Sequence, residues 1–173
     1  MKALAPFLKA GLQNYQAYHV CQIVVGLIGD ISRSIESEIT IYCNDIMTAL
    51  VELLQNKVLH RSVKPPVLSC FGDIAMAIGA AFEPFLKMTL YMLVSASDIQ
   101  APPDDDELVE YLQSLREGIL EAYTGIIQGL KDSGRIQLFT ANDVENIVSL
   151  LEKIAGEADK DEEIVSKSVG LLG

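Results

Sequence analysis

The segment Val20-Cys21-Gln22-Ile23-Val24-Val25-Gly26-Leu27-Ile28-Gly29-Asp30-Ile31 returns in kind further along the chain, from Val63 through Phe71-Gly72-Asp73-Ile74. A weaker copy is Leu120-Glu121-Ala122-Tyr123-Thr124-Gly125-Ile126. A fourth is Val165-Ser166-Lys167-Ser168-Val169-Gly170-Leu171-Leu172-Gly173. Aligning Gly29, Gly72, Gly125 and Gly173 gives steps of 43, 53 and 48 residues. Self-similarity at such a period marks stacked units, each burying its apolar face against its neighbours. Steps near ~40–47 residues suit a helical hairpin unit of the HEAT or armadillo kind, and the two longer steps contain visible insertions.

Apolar spacing between these anchors is helical. Ile39, Tyr42, Cys43, Ile46, Leu50, Leu53 and Leu54 fall at three- and four-residue steps. Leu86, Leu90, Leu93 and Val94 share a side behind Pro84, which suits a first helical turn. Leu108, Leu112, Leu115, Ile119, Tyr123, Ile126 and Leu130 make a long clean stripe, and Val144, Ile147, Val148, Leu151 and Ile154 follow Thr140-Ala141-Asn142-Asp143, a cap with its acid three residues on. No stretch alternates like a strand. Turn residues cluster at 11–14, 34–36, 56, 79–83, 100–105, 132–140 and 156–161. Pro65-Pro66 predicts a kink or a late helix start. The expectation is an all-α chain, an α-α superhelix of two antiparallel helix layers, with units at 1–35, 36–80, 81–131 and 132–173. Glycines within the anchors cost about 1 kcal/mol each in helix propensity against Ala, and close helix approach is the return expected for them.

Composition narrows the function. Half of the 173 residues are hydrophobic but only 6% are aromatic, so Leu, Ile, Val and Ala carry the core. With 13 Lys and Arg against 24 Asp and Glu, the net charge is −11, which argues against nucleic acid and favours a basic partner. Cys21–Gly29 is too short and too polar for the ~20 apolar residues of a membrane span. Three cysteines without a C-x-x-C pair read as free buried thiols in a reducing compartment.

Catalytic chemistry has little to build on. His19 and Cys21, two residues apart, point to different helix faces. Gly26-x-x-Gly29 lies within an apolar helical run and not after a strand, so it is no phosphate loop. No metal or cofactor is expected, and the chain reads as a binding protein and not an enzyme. One charge pattern does emerge. Asp106, Glu110, Glu117 and Glu121 share a helix face, although like charges four apart disfavour the helix by a few tenths of a kcal/mol. That face is either simply solvated or a docking track for a basic helix. Asp30 and Asp73, at matching places in successive units, extend the track or bond between repeats.

Longer strings carry a resemblance. Asn14-Tyr15-x-x-Tyr18-x-Val20-Cys21 running into Val25–Asp30, His60-Arg61-Ser62-Val63-Lys64-Pro65-Pro66-Val67-Leu68-Ser69-Cys70-Phe71-Gly72-Asp73-Ile74-Ala75, and Glu121-Ala122-Tyr123-Thr124-Gly125-Ile126-Ile127-Gln128-Gly129-Leu130-Lys131 resemble the importin-β (karyopherin-β1) family, in the C-terminal half of its HEAT solenoid. The resemblance implies a nuclear import receptor. Its inner B helices, here 16–35, 60–80, 105–131 and 161–173, would grip the basic segment of importin-α or another cargo. Its outer A helices, here 37–55, 84–97 and 142–156, would take phenylalanine-glycine repeats of nucleoporins between them. Ran would release cargo, and the protein would work in cytoplasm, nucleus and nuclear pore. No nucleic acid and no membrane insertion is implied.

Candidate site residues follow from those faces. Asp30, Asp73, Asp106, Glu110, Glu117 and Glu121 are expected on the inner face. Met47, Leu50, Met88, Tyr91 and Met92 supply apolar atoms for a nucleoporin slot on the outer one. The alternative function is a structural HEAT scaffold of a phosphatase or adaptor complex.

Overall fold

The computed structural model describes residues 5–100, 102, 105–156 and 162–172. Gly173, the last aligned glycine, and parts of the loops expected at 100–105 and 156–161 lie outside the described residues. Within them the chain runs through α1 (Ala5–Leu12), α2 (Tyr18–Ile35), α3 (Cys43–Gln55), α4 (Lys64–Ile78), α5 (Glu83–Ser97), α6 (Asp106–Asp132), α7 (Ala141–Ala155) and α8 (Glu162–Leu172). No strand occurs among the described residues.

Local signals place these boundaries. Thr140 and Asp143 form a full capping box at the start of α7, each side chain meeting the other residue's backbone N–H. The Asp105 carboxylate accepts from the Leu108 N–H at 2.9 Å and caps α6. Pro65-Pro66 produces a late start and no kink. A short 3-10 turn, Arg61–Val63, is capped by His60 and hands over to α4, whose first turn tolerates both prolines. The helix expected at 37–55 departs from a plain α-helix. Glu36–Tyr42 is 3-10 and the α-helix begins at Cys43. The β-branched run Ile39-Thr40-Ile41 disfavours an α-turn there.

The even-numbered helices lie side by side in one layer, and α1, α3, α5 and α7 cover them. In the first layer glycine lets backbones touch. A Cβ on Gly72 would stand 2.7 Å from the Glu121 carbonyl oxygen, and one on Gly118 would stand 2.5 Å from that of Pro65. Real Cβ atoms do not approach so closely, so α4 and α6 pack main chain to main chain. The core runs between the layers through Phe71, Phe82, Met47, Leu50, Ile74 and Tyr123.

The joint between units also repeats. Gly79 leaves α4 with φ 51° and ψ −120°, and Glu36, 43 residues earlier, leaves α2 with φ 48° and ψ −132°. Gly134, at φ 68°, follows α6. Glycine adopts this conformation freely, whereas Glu36 holds it under strain.

Arg61–Ser97 is long and apolar enough by composition to cross a membrane. It is folded as α4 and α5, which turn at Gly79, and 56% of its most apolar window is buried among neighbouring helices. Apolar side chains do lie bare at the two ends of the stack. Val20, Ile23 and Leu27 are exposed on α2, although Val63 and Cys70, one repeat step from Val20 and Leu27, are buried. Val165 and Val169 are exposed on α8.

Candidate functional site

A groove of about 670 Å³ runs across α2, α4, α6 and α8. Its charged lining comes from all four helices: Asp30 and Arg33, Asp73, Glu121, and Lys167. Arg33 bridges Asp30 on its own helix and Asp73 on α4. The Asp73 side chain is only 18% exposed. That burial raises its carboxyl above the usual range, with the Arg33 guanidinium pulling the other way. Lys167 reaches from α8 to Glu121 at 2.9 Å and to Glu117 at 3.8 Å. The Ser69 hydroxyl donates to Glu121 at 2.6 Å. Four carboxylates against two cations leave this cluster a formal −2.

Four of the six inner-face candidates therefore meet: Asp30, Asp73, Glu117 and Glu121. Glu110 does not join them. It lines a separate cleft of about 580 Å³ at the starts of α4 and α6, where the Arg61 guanidinium lies over the Tyr111 ring and pairs with Glu107. Asp106 is exposed at the first residue of α6, at the same end of the helix. The shared face is real, but a 27-residue helix is long enough for its two ends to serve different clefts. Sequence reading overlooked Arg33 and Lys167, whose partners lie 40 and 46 to 50 residues away. Only the i, i+3 pair Asp30–Arg33 was visible as a local signal.

On the other layer a groove of about 630 Å³ separates α5 from α7, lined in part by Lys87, Tyr91, Val94, Leu138 and Asn146. Tyr91 is 73% exposed. Met88 is also exposed on α5 but does not line this groove. Met92 is half-buried and packs on the core. Met47 and Leu50 are corrected: both are core residues, at 1% and 0% exposure. They fall on the α3 stripe Cys43–Ile46–Met47–Leu50–Leu53 that faces inward, and Asn44, Asp45, Thr48 and Glu52 take the outer side. The same periodicity that marked α3 as a helix assigns them to the interior.

The chemistry for catalysis is sparse. Among the described residues no group of three or more His, Cys, Asp or Glu is placed to hold a metal ion. Cys21, Cys43 and Cys70 are free and buried. Burial pushes their thiols up, that of Cys43 to about 11, so none is a ready nucleophile.

The family profile described as "Importin subunit beta-1-like, TPR repeats" matches residues 1–173. The chain belongs to the importin subunit beta-1 family. Importin subunit beta-1 of Arabidopsis thaliana is 46% identical over 169 residues, covering 96% of this chain and 19% of that relative. A crystal structure of importin beta grown in a polyethylene glycol condition has a TM-score of 0.93 at 38% identity, over 99% of this chain and 21% of that one. The Kap95:Nup1 complex has a TM-score of 0.89 at 30% identity, over 99% and 20%. The chain thus spans about a fifth of the relatives' length. Membership in this family supersedes the phosphatase or adaptor alternative. The matches establish membership over that fifth and do not support the expected place in the C-terminal half of the solenoid. Steps of 43 residues and more exceed the 34 of a tetratricopeptide unit and suit HEAT hairpins better.

Proposed function

We propose that this chain is a stretch of a nuclear import receptor that works as a two-faced, non-enzymatic scaffold. The units 1–35, 36–80, 81–131 and 132–173 each supply one helix to each face. The carboxylate groove over α2, α4, α6 and α8 takes a basic segment of importin-α or of cargo. The groove between α5 and α7, lipped by Tyr91, takes the phenylalanine ring of a nucleoporin repeat. Ran acts on the longer receptor, which moves between cytoplasm and nucleus through the pore.

The observation that carries this reading is the division of labour between layers. A net-negative groove crosses one, and a slot with an exposed aromatic lip opens in the other, on a chain similar to Kap95 solved with Nup1. An aromatic ring in such a slot gains from area burial and edge or stacked contact with Tyr91. The test is retention of the chain on a phenylalanine-glycine resin. The wild type is retained, and Tyr91→Ser, which removes an exposed ring and leaves the melting temperature unchanged, is not. Equal retention of both proteins overturns the slot.

A further inference from the structure

The two cations over the inner groove come from the chain itself, and each ties one helix to its neighbour. Between α4 and α6 the glycines lock main chain to main chain. On either side of that pair, helices are bridged by charge. Arg33 of α2 holds Asp73 of α4, and Lys167 of α8 holds Glu117 and Glu121 of α6. Lysine side chains ordinarily extend into water, yet that of Lys167 is only 25% exposed and lies over the carboxylates. Resting on the basic-partner reading above, we infer that Lys167 is a built-in competitor for that partner. It occupies the Glu117–Glu121 station, so an incoming ammonium or guanidinium group must displace it before engaging the same oxygens. Arg33 stands in the same relation to Asp30 and Asp73. A basic segment therefore binds with an affinity reduced by the strength of these internal pairs, and the groove admits segments carrying several cations over those carrying one.

Substitutions at Lys167 test this, since it sits on the surface and its loss leaves the core intact. The probe is a fluorescent Arg/Lys-rich helical peptide titrated with the full chain near physiological salt. Lys167→Gln removes the internal ammonium group and tightens binding about two- to five-fold, the range an exposed ion pair spans. Lys57→Gln, at an exposed loop position, makes the same change in net charge and leaves affinity unchanged. Lys167→Arg makes no change in charge and weakens binding, because a guanidinium fork grips paired carboxylates more firmly than a point charge. Peptide binding to Lys167→Gln no tighter than to Lys57→Gln overturns the competitor role while leaving the basic-partner reading standing. Absence of peptide binding to all four proteins overturns both.

Discussion

A Cβ placed on Gly125 would run into the carbonyl oxygen of Gly72, so α4 and α6 meet backbone to backbone at two glycines that the repeat sets 53 residues apart. This contact fixes the spacing of the central helices, and with it the floor of the inner groove. Gly26 belongs to the same sequence motif, yet nothing lies within 4 Å of where its Cβ would stand. One glycine type therefore serves two physical situations.

Alanine substitutions at the two sites have opposite signs. Gly125→Ala forces the helices apart and costs on the order of 3 kcal/mol, at the top of the overpacking range. Gly26→Ala gains about 1 kcal/mol of helix propensity at no steric cost. Thermal melts separate them, with each kcal/mol worth roughly 2–4 °C at this size. A fall in melting temperature for Gly26→Ala contradicts the open space seen beside it.

How far the sequence led is clearest on α6. The Leu112–Ile119–Ile126 stripe gave the helix, and the glycine alignment gave its stacking on α4, because periodicity and backbone approach are local or strictly repeated signals. The division of Asp106 and Glu110 from Glu117 and Glu121 was not legible, since nothing in a helical face says where along it a neighbouring helix crosses. Met47 and Leu50 were misread for a different reason. An apolar residue on an outer-layer helix is as readily core as slot, and only the pattern of polar residues around α3 decides it. Arg33 and Lys167 escaped because ion pairs between units depend on the register of stacking.

Strain at the unit joints is open to direct measurement. Glu36 holds a conformation that costs a non-glycine residue about 1–3 kcal/mol. Glu36→Gly releases that strain against roughly 0.5–1 kcal/mol of added unfolded-chain entropy, and so stabilises by about 1 kcal/mol. Gly79→Ala, at the equivalent joint, is destabilising, and its Cβ also lies 3.0 Å from that of Ser133. Chemical denaturation midpoints moving in these two directions support a shared joint. A lower midpoint for Glu36→Gly contradicts it.

Alkaline pH probes the buried thiols. The Cys43 thiol is raised by burial from 9.0 to about 11 in the folded chain. Below its unfolded value the group is protonated in both states and its contribution to stability is fully present. That contribution is lost as pH rises through the folded value, because the unfolded chain ionises first. The loss attributable to Cys43 between pH 9 and 11 is on the order of 2 kcal/mol. Denaturation curves at the two pH values, for wild type and Cys43→Ala, isolate it. The variant is less stable throughout but shows a shallower fall, whereas parallel curves contradict a native thiol held protonated.

A salt titration decides whether the carboxylates of α2, α4 and α6 receive a basic partner. Affinity for an Arg/Lys-rich helical peptide is measured at rising ionic strength for the wild type and for Glu117→Gln combined with Glu121→Gln. Exposed contacts of this kind are worth about 0.2–1 kcal/mol each, so the double variant binds several-fold more weakly at low salt. Wild-type affinity declines as the screening length falls below ~10 Å, and the variant declines less steeply because fewer charges are in play. Convergence of the two curves at high salt is the predicted result. Superimposable curves at every salt concentration contradict a basic partner here and leave Glu117 and Glu121 serving contacts within the chain.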